Sequence, residues 1–110
     1  MPLSSRARIE IYLPDVPKKA YQNAHKAFER EFLETFGGCT VIKGIKGFYL
    51  GEDEKADVDE IVLIYTDTPF EFRKNRKALS KYTDELREVA WLATDEESIL
   101  IVVHELYHSV

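Results

Sequence analysis

A single cysteine, Cys39, leaves this 110-residue chain with no intrachain disulfide. That fits a reducing compartment, and Met1 to Ile9 has no apolar stretch of signal-peptide length, so a cytoplasmic protein is expected. No run approaches the roughly 20 apolar residues needed to cross a bilayer, so no membrane segment is expected. Positive charge is in deficit: Lys+Arg 15 against Asp+Glu 20 gives a net −5. Phosphate backbones need a basic surface, so nucleic acid is not expected as a partner. Internal repeats and low-complexity tracts are missing, which excludes solenoids and disordered tails. There is no glycine-rich phosphate loop. Gly44-x-x-Gly47 is too short and lacks the strand–loop–helix setting of a nucleotide fingerprint. With only His25, His104 and His108 available, no Ser/His/Asp order stands out.

What is present is an ordinary globular composition, enough for one domain with one core over residues 1–110. Ala7, Ile9, Ile11 and Leu13 alternate with Arg8, Glu10 and Tyr12, the pattern of a half-buried strand. Pro14 to Pro17 ends it, with Asp15 placed as an N-cap. Lys18 to Phe36 carries an apolar stripe at Tyr21, Ala24, Phe28, Phe32 and Phe36 and predicts a helix closed by Gly37-Gly38. Cys39 to Ile42 predicts a short strand. Gly44 and Gly47 predict a bulge or bend before Phe48-Tyr49-Leu50. Gly51 to Asp59 is acidic, with Val58 its one large apolar residue, and reads as a solvated hairpin loop. Glu60 to Thr66 is apolar on both faces and reads as a central strand. Thr68-Pro69-Phe70-Glu71 has the form of a capping box. It predicts a second helix to about Trp91, with Phe72, Leu79, Tyr82, Leu86, Val89 and Ala93 facing the core. Asp95 to Ser98 continues a polar turn begun at Thr94, and Ile99 to Val103 is the last strand.

The order β-α-β-β-α-β predicts a ferredoxin-like α+β sandwich: a four-stranded antiparallel sheet with both helices on one face. The other face is bare in a monomer. Arg8, Glu10 and Tyr12 are assigned to it, together with Val62, Ile64 and either Leu100 and Val102 or their alternates. Such a face is too apolar for solvent, so a homodimer through the sheet face is expected, or a small-molecule pocket, or both. Buried charges need partners, and a structural ion pair is the plain role for Arg8 and Glu10. The ligand-binding candidates are Arg8, Glu10, Tyr12, Tyr65 and His104. No cofactor is expected and no residue is assigned to catalysis.

The string with a catalytic association is His104-Glu105-Leu106-Tyr107-His108, an H-E-x-x-H. On a helix its histidines share a face and bind one zinc while the glutamate acts as general base. On a strand they stand about 13 Å apart, too far for one ion with Zn–N bonds of about 2.0–2.1 Å. Strand alternation favours the second arrangement, so the zinc-hydrolase reading of His104 and His108 ranks below a binding domain or an oxygenase-like enzyme. Arg73, Lys74, Arg76, Lys77 and Lys81 crowd the start of the second helix and read as a solvated face. Cys39 follows a helix C-terminus, whose partial negative charge opposes a thiolate, so it reads as inert. Trp91 reads as a core or lid residue.

Phe36-Gly37-Gly38-Cys39-Thr40, Gly47-Phe48-Tyr49 and Glu97-Ser98-Ile99-Leu100 resemble a pattern in a family of small uncharacterised bacterial proteins. The resemblance spans most of the chain and implies an α+β fold without an activity. More distantly the layout is similar to the dimeric α/β-barrel group, which includes haem-degrading monooxygenases and stress-response proteins. That likeness implies an enzyme using the open sheet face.

Overall fold

The alternation at the start of the chain forms the strand it predicts. In the computed structural model, which describes residues 3–94 and 99–109, Leu3–Pro14 is β1 and buries Ala7, Ile9, Ile11 and Leu13. Lys19–Phe36 is α1, Thr40–Leu50 is β2 and Ala56–Asp67 is β3. Arg76–Thr94 is α2 and Leu100–Ser109 is β4. The strands form one antiparallel sheet in the order β2-β3-β1-β4, and both helices pack on one face of it. This is the ferredoxin-like βαββαβ sandwich. The expected polar turn at Asp95 to Ser98 lies outside the described residues.

The core lies between helices and sheet. Phe28 and Phe32 of α1 and Leu79, Leu86 and Ala90 of α2 meet Ile9, Ile11, Leu13, Val62, Ile64 and Ile101. Each fully buried large side chain contributes about 1.5–3 kcal/mol. Phe36 extends this layer through edge contacts with Phe70 and Tyr82. His25 is buried and donates from Nε2 to the Pro14 carbonyl at 3.0 Å. Gly37 closes α1 in the left-handed region at φ 84, its N–H bonded to the Leu33 carbonyl. That is the position glycine fills without steric cost.

Several elements differ from expectation. Val62 and Ile64 stand on the helix-covered face, because register pairs Leu13 with Val62 and Ile11 with Ile64. Lys18, without a side-chain cap, precedes α1, not Asp15. The Thr68 hydroxyl does accept the Phe70 N–H at 3.2 Å, but it also donates to the Ala7 carbonyl at 2.9 Å. Tying Thr68 to β1 leaves the next residues as turns, and α2 begins only at Arg76. Its buried face then falls on Ala90, while Val89, Trp91 and Ala93 are exposed. Trp91 is neither core nor lid.

The acidic segment is shorter as a loop than expected. Only residues 51–55 turn, with Gly51 donating to the Lys55 carbonyl at 2.9 Å. β2 and β3 run on either side of it, with the expected irregularity between Ile42 and Ile45, where Gly44 has φ 77. β1 stops pairing with β3 at Pro14↔Ile61, whereas β2 and β3 continue to Leu50↔Ala56. The last part of the hairpin is therefore a two-stranded arm, and the molecule is 49 Å long against 27 × 24 Å across.

Candidate functional site

On the face opposite the helices, β1 contributes every second residue: Arg8, Glu10 and Tyr12. Antiparallel register then decides their neighbours. Arg8 lies between Asp67 and His104, Glu10 between Tyr65 and Val102, and Tyr12 between Leu63 and Leu100. All five sequence candidates, Arg8, Glu10, Tyr12, Tyr65 and His104, thus come together on three adjacent strands.

They form two groups, one centred on Arg8 and one on Glu10. The Arg8 guanidinium holds Asp67 with Nε to Oδ1 at 2.6 Å and Nη2 to Oδ2 at 3.0 Å, a two-pronged bond, and lies 4.2 Å from the centre of the Tyr65 ring. Planar forks of this type are stronger and more directional than single contacts. The hydrogen bond from Arg8 holds the Asp67 carboxyl below its ordinary range against the opposing effect of burial, helped by the charges of Arg8, His108 and Arg6. The same bond pushes Arg8 further up.

Glu10 is the second centre. It is only 8% exposed on a face that nothing in the chain covers as a layer. Its Oε1 accepts from the Tyr12 hydroxyl at 2.9 Å and lies 2.6 Å from His104 Nε2. Burial, then donation to Glu10, pushes the Tyr12 hydroxyl up, so Tyr12 stays protonated as a donor. Leu63, 9% exposed, stands on the same face, opposite Tyr12 in register.

Asp67 joins these residues without having been singled out in the sequence. The expected charge pair was Arg8 with Glu10; the observed partners are Asp67 for Arg8 and His104 for Glu10. Continuing the strand alternation from Leu63 through Tyr65 to Asp67 would have found it. Beside Tyr65 and Asp67 a shallow cleft of about 260 Å³ runs along Gly37, Gly38, Cys39 and Thr40. The Cys39 thiol is pushed up by burial and then by Glu29, so it is not a poised nucleophile.

The H-E-x-x-H residues lie within β4, an extended strand. His104 and His108 face the open side about 13 Å apart at 3.3 Å per residue. Glu105 faces the other side, where it accepts from Arg73 at 3.3 Å and from the Tyr107 hydroxyl. The glutamate and the histidines are on opposite faces, so the motif does not form a zinc centre. Among the described residues no group of three or more His, Cys, Asp or Glu side chains is arranged to hold a metal. Among them, too, no helix is long and apolar enough to cross a membrane.

This architecture is that of small PII-like and CutA1 proteins. CPII from Thiomonas intermedia K12, a nitrogen regulatory PII-like protein solved with ADP, AMP and bicarbonate, is 19% identical, with a TM-score of 0.53 over 99% of this chain and 100% of that one. CutA1 from Oryza sativa is 15% identical, with a TM-score of 0.59 over 96% of this chain and 83% of that one. The divalent cation tolerance protein CutA1 from Thermus thermophilus is 15% identical, with a TM-score of 0.56 over 92% of this chain and 82% of that one. At these identities the likeness is one of fold. Neither a protein-family profile nor a curated protein sequence matches the chain.

Proposed function

We propose that this protein is a small-molecule-binding module that works as a homodimer, with two copies closing their open sheet faces on each other. The observation that carries this reading is Glu10. A carboxylate held by Tyr12 and His104, almost without solvent contact, is costly to bury and is retained beside apolar Leu63, Val102 and Leu100. A self-complementary face closes under two-fold symmetry, and the Arg8–Asp67 pair supplies both charges needed to set its register.

The ligand class is a small anion. Arg6, Arg8, His104 and His108 stand on this face, against Glu10 and Asp67. CPII, which shares the fold, holds ADP, AMP and bicarbonate, and these are the first probes to titrate. Calorimetry with each anion, on the wild type and on Arg8→Ala, is the test. Binding weakened at least about tenfold by Arg8→Ala supports the reading; no binding of any anion, or binding indifferent to Arg8, overturns the ligand part. For assembly, Val102→Asp places a charge at the centre of the face. It is expected to turn a dimer into a monomer by sedimentation, and a wild type that is monomeric at high concentration overturns the dimer.

A further inference from the structure

The β2–β3 arm extends beyond the rest of the sheet. Past the Asp15 N–H bond to the Glu60 carbonyl its two strands pair only with each other, and a two-stranded ribbon is marginal in water. Its faces differ. Phe48, Leu50 and Val58 share the face that continues the core side of the sheet, at 70%, 73% and 51% exposure. Tyr49, Asp57 and Asp59 share the other, and Glu52, Asp53 and Glu54 form the tip. Large apolar side chains exposed together mark an interaction surface.

A matching surface lies at the opposite end of the fold. The arm leaves the sheet where β1 ends and β4 begins; the turn into α2 lies where β1 begins and β3 ends. Between the end of α1 and the start of α2 is an apolar cavity of about 160 Å³, lined by Phe36, Phe70, Ala78, Leu79 and Tyr82. Phe70 is 44% exposed. Lys74, Lys77 and Lys81, three and four residues apart and all exposed, are the chain neighbours of the lining residues Asn75, Ala78 and Tyr82. Arg76 adds to the same field, while Arg73 is paired with Glu105 and Lys74 with Glu71, both at 3.3 Å. An acidic, apolar ribbon and a basic, apolar cavity thus occupy opposite ends of one chain.

We propose that the arm of one copy docks on the α1–α2 cavity of a second copy. Phe48 and Leu50 cover the apolar lining, and Glu52, Asp53 and Glu54 meet Lys74, Lys77 and Lys81. Charge selects this partner: arm against arm brings two acidic tips together, whereas arm against cavity joins opposite signs. Because the two surfaces lie at opposite ends, the contact is head-to-tail. It closes as a ring or continues as a filament. It uses no residue of the open sheet face and stands independently of the dimer proposed there.

The test uses two full-length variants in a Val102→Asp background, which removes sheet-face pairing from the measurement. Phe48→Ser/Leu50→Ser loses the arm and keeps the cavity. Lys74→Glu/Lys77→Glu/Lys81→Glu loses the cavity's charge and keeps the arm. All these positions are exposed, and circular dichroism checks that each variant folds. The background protein is expected to self-associate on concentration, less so in high salt, by sedimentation velocity. Each variant alone is expected to stay monomeric, and a mixture of the two to form a heterodimer, since one functional arm meets one functional cavity. A background protein that stays monomeric, variants that associate as it does, or a mixture without a heterodimer overturns the proposal. Any of these results leaves the sheet-face dimer to be judged on the Val102 comparison alone. Phe48 and Leu50 that remain accessible to hydroxyl-radical labelling in the concentrated background protein also overturn it.

Discussion

Glu10 and His104 sit on neighbouring strands with carboxylate Oε1 2.6 Å from imidazole Nε2. They are offset by two residues in register, since Glu10 pairs with Val102 and His104 with Arg8. Removing the imidazole leaves a buried carboxylate with Tyr12 as its remaining donor on that oxygen. His104→Ala is expected to lower unfolding free energy by about 1–3 kcal/mol. Glu10→Gln, which still accepts through its amide oxygen, is expected to lose less. Urea denaturation with an unchanged m-value measures both, and equal losses would remove the special standing of the Glu10–His104 contact.

Asp67 makes stability depend on acid. The hydrogen bond from Arg8 depresses its folded value below the ordinary 3.8, so the unfolded chain binds the proton more readily. The resulting stabilisation is complete above that ordinary value and is lost as pH falls through the folded one. Asp67→Asn is expected to be less stable than wild type near neutrality and to show a shallower acid decline. Urea midpoints between about pH 2 and 7 test this. Parallel profiles for the two proteins would show that the pair contributes nothing to the acid limb.

Thr68 is fully buried and joins β1 to the turn before α2 by donating to Ala7 and accepting from Phe70. Thr68→Val keeps the shape and removes both bonds. The Ala7 carbonyl retains the Thr68 backbone N–H at 2.9 Å, so the expected cost is only about 1 kcal/mol. Thermal unfolding followed by circular dichroism measures it. A loss several times larger would mean that the side-chain bonds, not the backbone bond, hold this turn.

Zinc is expected to have no effect on folding. Histidines about 13 Å apart on a strand cannot share an ion with Zn–N bonds of about 2.0–2.1 Å. Thermal midpoints with zinc, and with chelator, are expected to coincide, and His104→Ala/His108→Ala is expected to bind no less zinc than wild type. A stoichiometric metal lost in that double variant would contradict the strand geometry.

The parts of this structure legible in the sequence are those set by local periodicity. Alternation gave β1, the apolar stripe gave α1, and Gly37 gave its end. The alternation before H-E-x-x-H favours a strand there, but the last strand was expected to end at Val103, and β4 runs on to Ser109. Which face Val62 and Ile64 occupy depends on the register between β1 and β3, and both faces of that strand are apolar, so the sequence holds no local sign of it. The start of α2 was misread because Thr68-x-x-Glu71 satisfies a local rule while the Thr68 hydroxyl is drawn to Ala7, 61 residues away. The five candidate residues came together because one strand carried three of them. Asp67 lies just past the apolar run Glu60 to Thr66, at the end of β3.

β1 stands inside the sheet, with β3 on one side and β4 on the other, and its pairing with β4 runs from Tyr12↔Leu100 to Leu3↔Ser109. A chain emerging from the ribosome therefore holds β1 half-paired until residue 109 is free. The α1 helix and the β2–β3 hairpin have local contacts and can form early, but the inner edge of β1 stays open until β4 arrives. Non-local pairing of this kind slows folding and leaves an unpaired strand available to neighbours. Slow synthesis across α2 thus lengthens the interval in which this protein is most exposed to misassembly.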